Sequence, residues 1–198
     1  MVKEENFSAA LMALPWKKQL AFALLVFERM LPSLIAFSKD TARDASCYLT
    51  ARDAAWVALQ NGKGGIADQL LNEARIKNMP DTEEESHELT SYALNTALVM
   101  NDIVEFTVDR DTNHIVNAST LARDSVDLYL SNLDSSILSS PELDRKIKAH
   151  PLMQQEICRQ KEDINFLSGL PNQFDKEIIS VLRTRASAQP PMLPLARN

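Results

Sequence analysis

The feature that most constrains this chain is an apolar run, LAFALLVFERMLPSLIAF, at residues 20–37. A helix built from this run is apolar on nearly every side, so it has to be covered on every side. Glu28 and Arg29 lie at its centre, where each charge would cost about 2.5 to 3.5 kcal/mol inside a bilayer. Pro32 follows closely and disfavours one straight span. We therefore predict no membrane span, and instead a helix buried inside a globular protein.

Helical spacing of apolar residues continues along nearly the whole chain, without the sustained alternation that is typical of strands. The clearest pattern lies at 83–109, where apolar residues recur in alternating steps of three and four. Only four glycines occur among the 198 residues, a composition rich in helix formers. The sequence predicts an all-α, single-domain bundle of seven or eight helices over residues 1–186, followed by a proline-rich flexible tail at 187–198.

The first long helix is predicted from residue 16 to about residue 31, where Pro32 kinks or ends it. A second long helix is predicted at about 42–60. A short connection favours an antiparallel arrangement of two such helices. We therefore expect an antiparallel hairpin, with a kinked first helix, at the core of the bundle.

Charge and cysteine content limit the partners and the compartment. The formal net charge is −6 and the Lys and Arg residues are scattered, which argues against nucleic-acid binding. Cys47 and Cys158 each fall within a predicted helix, a pattern that suits reduced thiols better than a disulfide framework. The first residues lack the pattern of a signal peptide. The sequence predicts a cytoplasmic protein.

Motifs for metal or cofactor binding are weak. Glu84 and His87 form an E-x-x-H spacing, but di-metal bundle sites need two such motifs and two further glutamates. The three histidines are isolated and there is no C-x-x-C pair, so a zinc site lacks ligands at usable spacing. The glycine-rich stretch at 61–65 lacks the spacing of a phosphate-binding loop. We predict no metal and no cofactor, and the sequence identifies no catalytic residue.

The charged pair inside the apolar run needs partners. Glu28 and Arg29 are neighbours, so their side chains diverge by about 100° on a helix and do not satisfy each other. A hairpin centred near Thr41 would bring Arg29 level with Asp53. Asp53 shares a helix face with Trp56, which favours an inward orientation. We therefore predict a buried contact between Arg29 and Asp53, with another donor or a subunit partner for Glu28.

A polar stripe accompanies the apolar face of the helix at 83–109. Its members recur every seven residues and include Glu88, Asp102 and Asp109. Such a stripe is usually a solvated face, although paired carboxylates also serve as acid and base or bind cations. With this stripe included, the candidate buried polar cluster comprises four residues: Glu28, Arg29, Asp53 and Asp102.

Several segments resemble the YjaG-like family of small bacterial proteins of unknown function. They are ERMLP at 28–32, DAAW at 53–56, SYALNTALVMNDIVEF at 91–106 and HPLMQQE at 150–156. The resemblance extends over most of the chain, from about Leu11 to Leu182. It implies an all-helical fold, a bacterial cytoplasmic setting and no assigned activity, so it transfers no catalytic role.

Two classes of function stay open. The favoured hypothesis is a non-enzymatic interaction module that forms a homo-oligomer, with a dimer preferred, because the helix at 16–31 must be covered on every side. The alternative is a small enzyme or ligand-binding protein that uses an inter-helix polar site around Arg29 and Asp53; its ligand is unknown. A weaker third hypothesis is an adaptor that binds through the PPMLPLAR stretch at 190–197.

Overall fold

A computed structural model describes residues 4–61, 69–133 and 141–194 of the chain. These residues form nine α-helices and no strand, which confirms the predicted all-α, single-domain bundle, while the predicted number of seven or eight helices is too low. The helices are α1 (Glu4–Met12), α2 (Trp16–Thr41), α3 (Ser46–Asn61), α4 (Gln69–Lys77), α5 (Thr90–Asp109), α6 (Thr112–Leu133), α7 (Pro141–Ala149), α8 (Pro151–Gly169) and α9 (Lys176–Ala188).

The α2 helix runs through the centre of the bundle. Every residue from 20 to 27 is 0% exposed, because α3, α5, α6, α8 and α9 all pack against α2. In the described part of the chain, α2 is the one helix long and apolar enough to cross a membrane by length and composition. Its most apolar window is 78% buried inside the fold, and core helices of soluble proteins meet the same criterion.

Pro32 lies inside α2 and does not end it. Because proline has no N–H, the carbonyl of Glu28 one turn earlier loses its usual helical donor, which makes this the expected position of a kink. The helix nevertheless continues to Thr41, since the turns beyond the proline bury Phe37 in the core. Of the two predicted effects of Pro32, a kink or an end, the end near residue 31 is therefore wrong. The helix ends instead at Thr41, and the next residue, Ala42, caps it with a left-handed φ of 58°.

The hairpin of α2 and α3 forms close to where the sequence places it. The indole Nε1 of Trp56 donates to Oε1 of Glu28 at 3.1 Å. Midway between these residues lies Ala42, next to the predicted centre at Thr41. The hairpin is one part of a larger core, since α2 packs most extensively against α5, and α5 in turn against α6.

The α5 helix begins at Thr90 rather than near residue 83, so the predicted start is wrong. The preceding acidic residues form turns instead. Oδ1 of Asp81 accepts a hydrogen bond from the backbone N–H of Glu83 at 2.8 Å, and Oε2 of Glu85 accepts one from the N–H of Asp81 at 3.0 Å. These local bonds satisfy backbone N–H groups outside a helix, and they therefore compete with helix formation.

The C-terminal segment packs against the bundle. The α9 helix continues to Ala188, and beyond it Met192 and Leu193 are only 2% and 3% exposed. The N–H of Met192 donates to the carbonyl oxygen of Arg29 at 3.0 Å. The prediction of a flexible tail from residue 187 is therefore wrong as far as residue 194. The last four residues lie outside the described part of the chain.

Candidate functional site

A buried ion cluster joins α2 to α8. Nη1 of Arg29 lies 2.6 Å from Oδ2 of Asp163, and Nη2 lies 3.0 Å from Oε1 of Glu156. The three side chains are 0–1% exposed. Burial by itself would lower the pKa of Arg29, but the charges and hydrogen bonds of the two carboxylates outweigh it and raise that pKa. Arg29 therefore stays protonated in the interior.

Residues at the end of the chain complete the contacts of Asp163. Nε and Nη2 of Arg185 on α9 each lie 2.8 Å from Oδ1 of Asp163. The amide of Gln189 bridges the ion pair: its Oε1 accepts from Nη1 of Arg29 at 2.7 Å and its Nε2 donates to Oδ1 of Asp163 at 3.2 Å. Both carboxylate oxygens of Asp163 are thus occupied by N–H donors.

A second branch of the cluster reaches α6. Nε2 of Gln160 donates to Oε1 of Glu156 at 3.0 Å and to the backbone oxygen of Ser119 at 3.1 Å. The Ser119 hydroxyl donates in return to Oε1 of Gln160 at 2.9 Å. We refer to the whole set as the Arg29 cluster: Arg29, Ser119, Glu156, Gln160, Asp163, Arg185 and Gln189.

The positive and negative side chains of the Arg29 cluster neutralise one another. Two guanidinium groups face two carboxylates, and of these four charged side chains only that of Arg185, at 26% exposure, reaches solvent. One donor and one acceptor have no hydrogen-bond partner, namely Nε of Arg29 and Oε2 of Glu156. Because Arg29, Glu156 and Asp163 are buried and paired with one another, the centre of the cluster exposes no charged side chain to a substrate.

The predicted contact between Arg29 and Asp53 is wrong. Asp53 lies on the outer face of α3 with 56% of its side chain exposed, and its Oδ1 accepts from Nε and Nη2 of its neighbour Arg52 at 3.0 and 2.9 Å. The face of α3 that meets α2 presents Trp56 instead. The carboxylates that pair with Arg29 come from α8, an element outside the predicted hairpin.

Glu28 points away from the Arg29 cluster. Besides the bond from Trp56, its Oε1 lies 3.8 Å from Nε of Arg52. Its side chain is 20% exposed. Glu28 thus connects α2 to α3, whereas Arg29 connects α2 to α8. Neighbouring side chains on a helix diverge, so the two residues face different helices.

Asp102 lies in a separate group at the turn between α5 and α6. Its Oδ1 is 3.3 Å from Nδ1 of His114, and its Oδ2 accepts from Nδ2 of Asn117 at 2.7 Å. Nε2 of the same histidine lies 3.0 Å from Oδ2 of Asp109. Both ring nitrogens face carboxylates, which leaves neither free to act as a base toward a substrate.

The pKa shifts in this group follow from burial and neighbouring charge. Burial raises the pKa of Asp102, against the hydrogen bonds from Asn117 and His114. Burial would lower the pKa of His114, but the hydrogen bonds and charges of Asp109 and Asp102 outweigh it and raise that pKa. The four candidates Glu28, Arg29, Asp53 and Asp102 therefore do not converge on one site.

Sequence reasoning missed the acidic partners on α8. Glu156, Gln160 and Asp163 are separated by four and then three positions, the spacing of one helix face. Met153 and Leu167 are buried on the same helix and fit the same spacing. Polar residues at apolar positions of a helix were the signal that could have identified these partners.

An open groove lies along the second half of α2. It has a volume of about 1090 Å³ and is bounded by α2, the first half of α8, the residues just before α5 and the C-terminal segment. Apolar side chains line it, among them Leu31, Ile35, Leu152 and Leu193. Five charged residues also line it: Glu28, Lys39, Asp40, Glu88 and Arg159. We refer to this feature as the α2 groove.

Within the described residues, no group of three or more His, Cys, Asp or Glu side chains is arranged to hold a metal ion. A smaller depression of about 710 Å³ lies between the end of α3 and α9, with Lys176 and Arg183 in its lining. The α2 groove is the larger of the two and combines apolar side chains with both signs of charge. It is therefore the candidate binding site.

Comparisons with known proteins place the chain among proteins of unknown function. The model of a family described as "Protein of unknown function (DUF416)" matches residues 6–190. The fold is similar to the crystal structure of a DUF416 family protein from Shewanella baltica OS155, with a TM-score of 0.82 over 91% of this chain and 93% of that chain. The two sequences are 22% identical, so this likeness shows the fold alone. No curated protein matches the chain.

Proposed function

Because the chain belongs to the DUF416 family, whose function is unknown, we propose a function from its geometry: a non-enzymatic interaction module that self-associates through the α2 groove. One observation carries the proposal. The α2 groove combines an apolar lining with charged side chains of both signs, whereas the polar residues that could have formed an active site are either closed to solvent or far apart. A bacterial cytoplasmic setting and the narrower YjaG-like assignment stay predictions.

The alternative function is a small enzyme or ligand-binding protein around Arg29 and Asp53, and these two residues do not form one site. Arg29 already has two carboxylate partners and a fully buried side chain, so an anionic ligand would have to displace Glu156 or Asp163. Leaving either carboxylate buried without its cation costs about 3–5 kcal/mol. Asp53 contributes nothing to such a site, because it lies on the outer face of α3.

The apolar circumference of α2 does not by itself require a second subunit. The apolar circumference of α2 first suggested a second subunit, but the bundle covers residues 20–27 completely within one chain. The proposal therefore rests on the α2 groove. Its two cations, Lys39 and Arg159, lie among three anions, so two copies related by a two-fold axis can bring opposite charges together around the apolar lining.

Sedimentation velocity over a range of concentrations tests this proposal. We expect the wild-type protein to dimerise and Ala36→Glu to be monomeric, because the change places a charge among the apolar side chains of the α2 groove. Val57→Glu is the matched control, since Val57 is 52% exposed on α3 and is not part of the groove lining. Far-UV circular dichroism verifies that each variant is folded.

Two results would contradict the proposal. If the wild-type protein stays monomeric at every concentration at which it is soluble, the proposed self-association is wrong. A dimer that Ala36→Glu leaves intact, with the helical signal unchanged, would place the interface elsewhere.

A further inference from the structure

Arg159 is a partly buried cation of the α2 groove that lacks a direct ion-pair partner among the described residues. It lies on α8, is partly buried and lines the groove. Within the described part of the chain its guanidinium makes no hydrogen bond and no ion pair within 4 Å. Burial lowers the pKa of Arg159, and the nearby charge of Arg29 acts in the same direction, against the attraction of Glu156, Asp163 and Glu162. A carboxylate supplied from outside would therefore stabilise it.

Three carboxylates line the same groove, and two of them already have partners. Glu28 accepts a hydrogen bond from the Trp56 indole. Oδ2 of Asp40 lies 3.4 Å from Nε2 of His87. Glu88 is exposed, and no ion pair or side-chain hydrogen bond involves it among the described residues. Glu88 is thus the groove carboxylate that remains available.

Of the two cations that line the groove, Arg159 is better suited than Lys39 to form an ion pair with Glu88. The Arg159 guanidinium is partly desolvated and presents a planar fork of N–H donors that matches a carboxylate. Lys39 is exposed, and ion pairs between exposed side chains contribute little because water and salt screen them. Glu88 and Arg159 do not form an ion pair within one copy.

We propose that Arg159 of one copy pairs with Glu88 of a second copy, so that each copy supplies one residue to each of two identical ion pairs. In a two-fold interface, a contact from one residue to another is repeated in the opposite direction, and both pairs form together. This inference rests on the proposed self-association through the α2 groove. It adds the charge pair that determines how the two copies are oriented.

Charge reversal tests the pairing. Arg159→Glu and Glu88→Arg each place like charges opposite one another in the dimer, and we expect each to weaken dimerisation about tenfold or more. An equimolar mixture of the two single variants should dimerise again, because one copy then carries only carboxylates and the other only guanidinium groups at these positions. The double variant R159E/E88R should also dimerise.

The controls separate pairing from other effects. Lys148→Glu changes the net charge as much as Arg159→Glu, on exposed surface outside the groove lining, and should leave dimerisation unchanged. Because Arg159→Glu adds a carboxylate near Glu156, Arg159→Gln provides a milder variant, and Glu88→Arg tests the pair from an exposed position.

Sedimentation velocity distinguishes failure of this inference from failure of the proposed function. If the wild-type protein is monomeric, both are overturned. If it dimerises and the folded charge-reversal variants dimerise as well as the wild type, only the pairing of Arg159 with Glu88 is overturned. Weakened single variants that their mixture does not restore would likewise overturn the pairing while self-association stands.

Discussion

Nη1 of Arg29 lies 2.6 Å from Oδ2 of Asp163, although 134 positions separate the two residues in the chain. Both side chains are 0% exposed. The pair ties the central helix α2 to α8, and Gln189 ties the end of the chain to the same pair. Attraction in such a buried pair is largely offset by desolvation, so its importance lies in what happens when one partner is lost.

Replacing Arg29 by Met should lower the free energy of unfolding by about 3–5 kcal/mol, because Glu156 and Asp163 are left buried without their main cation. Urea denaturation followed by circular dichroism measures this. Arg52→Met is the control, because that side chain forms partly exposed pairs that are worth about 1 kcal/mol or less. A loss of less than about 1 kcal/mol in Arg29→Met would contradict a structural role for the cluster.

Neutralising Asp163 should destabilise the protein more than neutralising Glu156. Both oxygens of Asp163 accept from N–H groups, so Asp163→Asn turns an amide N–H₂ toward other donors. Glu156→Gln can keep its oxygen toward Arg29 and Gln160 and place the N–H₂ where Oε2 has no partner. We expect a loss of about 3 kcal/mol or more for Asp163→Asn and about 1–3 kcal/mol for Glu156→Gln. Equal losses, or the reverse order, in urea denaturation would show that these hydrogen bonds do not control the cluster.

His114 should make stability depend on pH. Its pKa in the folded protein is raised, so its ion pairs stabilise the fold fully below the pKa of the unfolded histidine, about 6.5. This contribution is lost as the pH rises through the higher folded pKa. The pairs are partly exposed, so we expect less than about 1 kcal/mol. Urea denaturation between pH 5 and 8 should show this loss in the wild type and a smaller one in His114→Asn.

Nuclear magnetic resonance can follow the ring of His114 directly. Asp109→Asn removes one of the two carboxylates, so the pKa of His114 should fall. An unchanged pKa in this variant would mean that Asp109 does not interact with the ring in solution.

Packing of the C-terminal segment can be tested at Met192. Met192→Ala should lower the free energy of unfolding by about 2 kcal/mol or more, because it removes a buried side chain beside α2. Pro191→Ala, at an exposed position next to it, should change stability by less than about 1 kcal/mol. If both variants are as stable as the wild type, the segment does not pack in solution, and the hypothesis of a tail that acts as an adaptor regains support.

Patterns within a single helix predicted the fold well, whereas helix ends depended on tertiary packing in one case and on local side-chain bonds to the backbone in another. The apolar circumference of α2 correctly indicated a covered helix. Pro32 suggested an end that the burial of Phe37 overrides, because tertiary packing outweighs a local preference. At the start of α5, the side chains of Asp81 and Glu85 bond to nearby backbone and keep the acidic stretch out of the helix.

The sequence predicted part of the Arg29 cluster. A charge in the middle of an apolar helix requires a partner, and this argument correctly identified Arg29 as buried and paired. The identity of the partner depends on how α8 lies against α2, and no spacing within one helix contains that information. The α2 groove is still harder to foresee, since its lining comes from four separate parts of the chain.

The separation of Arg29 from its carboxylates has a consequence for protein synthesis. Glu156 lies 127 positions after Arg29, so at about 5–20 residues per second a ribosome needs about 6 to 25 seconds to add the first of these partners. During that interval the long apolar helix α2 has been synthesised, but the elements that will cover it are incomplete. The nascent polypeptide is therefore expected to need chaperone protection until α8 has been translated.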